Sequence, residues 1–164
     1  MSSRFIPGMA LLCSIALGAS GGCGPAAKKD QGPPVVKNNP KALDQLKGTW
    51  QVISIAAGGQ SVAQDRVKQL NLQYVFDGEG NVTVRRPDRP DKKNAITLDT
   101  AADPKRMTIH SDPPVRALYA LGGQDDNVLQ LCIMVDPNPP EHGFPTEISS
   151  RASPRTDLLH LERR

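Results

Sequence analysis

The chain has 164 residues, 20 basic and 17 acidic side chains, a formal net charge of +3 and 4% aromatic residues. Basic and acidic groups are interspersed, as in Arg85-Arg86 and Lys92-Lys93 beside Asp88 and Asp91, which argues for a solvated surface and against a nucleic-acid footprint. So few aromatic side chains also argue against a row of base-stacking platforms.

Arg4 is the only charge before Lys28, and residues 9–17 form a short apolar run. A positive start, a short apolar stretch and the small residues 18–22 have the form of an export signal. The run is too short to cross a hydrocarbon layer of about 30 Å, which takes roughly 20 residues. Cys23 follows Gly21-Gly22 directly and resembles the acylated cysteine of a bacterial lipoprotein signal, although Ser20 stands where such signals usually carry an aliphatic residue. The resemblance implies a signal over 1–22, a lipid-anchored linker over 23–39 and a domain over 40–164. It also implies a membrane as partner through the lipid and the cell envelope as location. Cleavage by an ordinary signal peptidase, giving a secreted or periplasmic protein, is the alternative. Cys13 leaves with the signal, and Cys132, within the apolar Leu129-Gln130-Leu131-Cys132-Ile133-Met134-Val135, reads as a small buried hydrophobe. A Cys23–Cys132 disulfide is the other arrangement an exported chain allows.

Residues 24–39 are rich in Pro, Gly, Lys, Asn and Ala and lack an apolar face, so they read as a mobile tether. Asn39-Pro40 is an N-cap followed by proline at the first helical position. Residues 41–47 then form two turns with Leu43 and Leu46 on one face, ended by Gly48.

Short strands and turns follow. Residues 50–56 are apolar on both faces. Residues 60–69 read as a loop or one helical turn, and 70–76 alternate as a half-buried strand. Asp77-Gly78-Glu79-Gly80 is a tight turn into strand 81–85, with Val82 and Val84 inward. Residues 87–93 read as a charged loop. Strands are expected over 95–98, 106–110, 115–121, 128–135 and 157–162, with a brief edge strand over 146–149 and a proline-rich loop over 137–145. Eight or nine short strands at this rhythm, without long amphipathic helices, predict an all-β antiparallel barrel or sandwich.

The ordered series Leu46-x-Gly48-x-Trp50, Ile96-Thr97-Leu98-Asp99, Asp103-Pro104-Lys105, Met107-Thr108-Ile109-His110, Ala117-Leu118-Tyr119, Leu129-Gln130-Leu131-Cys132, Gly143-Phe144-Pro145-Thr146-Glu147 and Leu158-Leu159-His160-Leu161-Glu162-Arg163 resembles an uncharacterised lipocalin-like domain family common in planctomycete secreted proteins and lipoproteins. His110 stands where that family usually has Asp, and His142-Gly143 where it often has Arg-Pro. The resemblance implies a lipocalin-like, up-and-down antiparallel β-barrel of about eight short strands behind a short N-terminal helix. It also implies that Gly48 and Trp50 close one end of the barrel with Arg163 over the indole, a cation–π contact of about 0.5–2 kcal/mol.

No catalytic, nucleotide-binding, cofactor or metal-ligand motif is legible. His110, His142 and His160 are widely spaced, and Gly78-x-Gly80 is a turn. The expected role is non-enzymatic, with a small apolar ligand in the barrel by analogy of fold. A side-chain-filled interaction module is the alternative, and a small hydrolase or isomerase using polar residues at the barrel mouth is the rival reading.

Overall fold

A computed structural model describes residues 38–134, 143–151 and 155–164. The expectations for the export signal, Cys23, the linker up to residue 37 and His142 fall outside these residues.

Helix α1 (Pro40–Leu46) starts where Asn39 accepts a hydrogen bond from the Lys41 backbone N–H at 3.1 Å. Strand β1 (Gly48–Ala57) turns through Gly58-Gly59 into the two-residue β2 (Gln60–Ser61). Helix α2 (Gln64–Leu70) leads to β3 (Gln73–Phe76), β4 (Asn81–Arg86), β5 (Arg89–Asp99), β6 (Lys105–His110) and β7 (Val115–Gly122). A 3-10 turn, Gln124–Asp126, precedes β8 (Val128–Met134) and β9 (Thr156–Arg163).

Every sheet pairing is antiparallel, β1 and β3 to β9 pair in chain order, and β9 pairs back onto β1. The described residues therefore form a closed, eight-stranded, up-and-down barrel with a short N-terminal helix, a lipocalin-like fold. Closure leaves β1 and β9 without a free edge along most of their length. Alternation sends Phe76, Val82, Leu98, Met107, Tyr119, Leu129 and Leu161 into the buried interior.

β1 shows how a strand can be apolar on both faces and still have one inward side. Trp50 and Val52 point inward, the register shifts between Val52 and Ser54, and Ile55 then points inward opposite Leu159. Ile53 is the extra residue of the bulge and is left 37% exposed.

Three local expectations are corrected. The strand expected over 70–76 begins only at Gln73, because residues 64–70 take the helical one of the two forms expected of 60–69, with Val67 buried in the core. Residues 87–93 are not a loop: Pro87-Asp88 is a two-residue turn and β5 starts at Arg89. Pro90, which has no N–H to donate, is accommodated where the β4–β5 register shifts. Residues 146–149 form no strand, since the closed barrel offers them no edge. Instead Ser149 O accepts from Cys132 Sγ at 3.5 Å and from Thr156 Oγ1 at 3.4 Å. Phe144 lies under the Arg106 guanidinium, 5.1 Å from its ring centre. This segment covers an outer row in which Arg106, Leu118, Cys132 and Leu158 are paired in turn across β6 to β9. Burial there pushes the Cys132 thiol pKa up, which disfavours the reactive thiolate.

Candidate functional site

The two ends of the barrel differ in chemistry. At one end α1 acts as a plug. The Lys47 N–H closes its last turn on Leu43 O and Asp44 O, and side chains from both ends of the domain supply the carbonyls beyond. Trp50 Nε1 donates to Leu46 O at 2.7 Å, and Arg163 donates to Lys47 O at 3.1 Å and to Gln45 O. The Arg163 guanidinium also sits 4.5 Å from the Trp50 ring centre, so one cation serves a helix C-terminus and an indole face together. Trp50 is fully buried. Gly48 has φ +125°, and a Cβ built there would meet nothing within 4 Å. Its requirement is therefore one of backbone conformation and not of space. Asn38, assigned by sequence to the tether, binds the β5 backbone through its side-chain amide: Nδ2 donates to Ile96 O at 3.0 Å and Oδ1 accepts from Leu98 N at 2.7 Å.

The opposite end is open. A cavity of about 570 Å³ lies there, within the range of roughly 300–1,000 Å³ usual for small-molecule sites. Leu72, Val84, Ile109, Val115 and Ile133 make an apolar wall, and Tyr74, Arg86, Arg89, Lys92, Asn94 and Ser111 contribute polar groups. Register explains the distribution. Tyr74 is opposite Val84, and Val84 is opposite Lys92, so these three share one inward row across β3, β4 and β5. Arg86 is two residues beyond Val84 on the same side. The register shift between Val84 and Arg86 brings Arg89 opposite Arg86.

Asp88 in the turn holds Arg86 through two hydrogen bonds of 3.0 Å, and Arg89 Nε lies 3.7 Å from its carboxylate. Asp91 is bonded away to Arg85 at 2.9 Å. Tyr74 is 7% exposed, and burial pushes its phenol up to about 12, with Asp157 pushing the same way and Arg86 opposing. Asp157, opposite Ala57 and Ile133, stands on the inward side of β9, and burial raises its carboxyl pKa.

The residues singled out from sequence thus separate. Gly48, Trp50 and Arg163 belong to the plugged end. His110 and His160 point outward, the first bonded to Thr97 Oγ1 at 2.7 Å. The mouth residues were missed because residues 85–93 read as a plain charged stretch. The available signal was that three arginines and two lysines lie around Pro87 and Pro90. No family model, curated protein or solved structure matches the chain.

Proposed function

We propose that this chain is a cell-envelope member of the lipocalin-like family it resembles, holding a small, largely apolar molecule in the barrel mouth and tethered to a membrane through an acylated Cys23. The observation that carries the ligand reading is the cavity of about 570 Å³ walled by Leu72, Val84, Ile109, Val115 and Ile133 in a barrel plugged at its other end. Removing apolar surface of a ligand from water there contributes roughly 25 cal/mol per Å² before the cost of immobilisation. Support for the tether is the run of residues 9–17, the small residues after it and Cys23.

Calorimetric titration of the full chain with decanol tests the cavity. Saturable binding is expected, and Val115→Trp, which fills the mouth, should abolish it without lowering the melting temperature. Absence of saturable binding to the wild-type chain overturns the ligand reading and leaves a barrel that acts through its surface. Mass spectrometry of the mature protein from host membranes should find an acylated Cys23 at the N-terminus; an unmodified cysteine removes the tether.

A further inference from the structure

We infer that the ligand is an amphiphile bearing one anionic headgroup, a carboxylate or a phosphate, seated on the inward side of the β4–β5 hairpin with its chain along the apolar wall of β6 to β8. This rests on the ligand reading above and adds the headgroup to it.

The argument is the asymmetry of the mouth. The hairpin places three cations, Arg86, Arg89 and Lys92, around the cavity. Asp88 is shared between the two arginines, and Asp91, although beside the cavity, is bonded outward to Arg85. Lys92 has no ion pair among the described residues and lies opposite Val84 on the inward row. Both guanidinium nitrogens that Arg86 uses, Nε and Nη2, go to Asp88, which fixes the group while Nη1 remains for a ligand. Asn94, buried one pairing step deeper, and the Tyr74 phenol add neutral hydrogen-bonding groups beside the cations. Asp157, on the inward side of β9, reaches Tyr74 across β1 and pushes its pKa up, so what seats an anion at β4–β5 is the three cations gathered there. The far wall is Ile109, Val115 and Ile133, and the Ser111 hydroxyl beside them donates to Pro113 O at 2.7 Å. A cation at the rim over an apolar wall is complementary to a negative head on an alkyl chain.

The test compares ten-carbon probes on the full chain by calorimetry. Decanoate or decyl phosphate should bind at least about tenfold more tightly than decanol, the worth of one charge-assisted hydrogen bond. Whichever anion is tighter identifies the headgroup. Lys92→Met should bring the ratio of anion to decanol affinity down towards one, and an unchanged melting temperature shows that the variant is folded. Equal affinity for decanoate, decyl phosphate and decanol overturns the headgroup and leaves an apolar site. Preference for decyltrimethylammonium overturns it as well. Inorganic phosphate binding as tightly as decyl phosphate overturns the amphiphile, and no binding by any probe overturns this inference together with the ligand reading.

Discussion

Trp50 has two duties that a single substitution can separate. Its ring fills the plugged end, and its Nε1 donates to Leu46 O at 2.7 Å. Trp50→Phe keeps most of the apolar volume but orphans a buried helix carbonyl, and should lower stability by about 1–3 kcal/mol. Trp50→Ala removes the ring as well and should cost about 3–5 kcal/mol. Urea denaturation of the three proteins checks the order; a Phe variant as stable as wild type would show that the bond to Leu46 carries no weight. Gly48-x-Trp50 was legible because a lone tryptophan beside a glycine at the head of an apolar run has few other readings. Asn38 was not, because an asparagine in a polar stretch carries no mark of the strand it will bond.

Among the elements, the β3–β4 hairpin is the most local, and the turn residues declare it. Asp77 accepts from Glu79 N at 2.8 Å, Asn81 N at 3.0 Å and Asn81 Nδ2 at 2.6 Å, while Lys93 Nζ lies at 3.2 Å. Desolvation pushes this carboxyl up, but these bonds outweigh it and hold the pKa down at about 2, against an ordinary 3.8. The unfolded chain therefore binds the proton more readily. Asp77 contributes stability that is fully present above pH 3.8 and is lost as pH falls through 3.8 towards 2. Asp77→Ala should destabilise at neutral pH by about 1–3 kcal/mol. The deficit should shrink in melts recorded below pH 3.8; a deficit independent of pH would mean that the turn needs the side chain's shape and not its charge. The choice of helix over loop in α2 and the early start of β5 were illegible for the opposite reason. Residues 64–70 and 87–93 are too polar for a periodic signal, and burial of one residue, Val67, or one register shift opposite Arg86, decides their form.

For the whole molecule, the decisive event is the pairing of β1 with β9. Trp50 is opposite Arg163 and Ala57 is opposite Asp157, so the contact joins the two ends of the domain. Such closure carries a large loop entropy that only the complete barrel offsets. Deleting residues 156–164 should leave β1 and β8 as unpaired edges above an opened core, and the product should lack both the near-ultraviolet dichroism of Trp50 and a cooperative melt. A truncated chain that still unfolds cooperatively would show that the barrel does not depend on this seam.

Alternation, turn chemistry and the absence of long amphipathic helices were sufficient to place the chain among antiparallel barrels and sandwiches, because each depends on residues close together in sequence, and the closing of β1 on β9 decided for the barrel. The sequence by itself also marked Gly48 and Trp50. Only the tertiary structure decided that Tyr74, Arg86, Arg89, Lys92 and Asn94 surround one mouth. Their convergence depends on registers between strands and on the β4–β5 register shift, which turns the rim residues inward. Register is set by which distant side chains are buried together, and a one-residue slip would send the same charges to the outside.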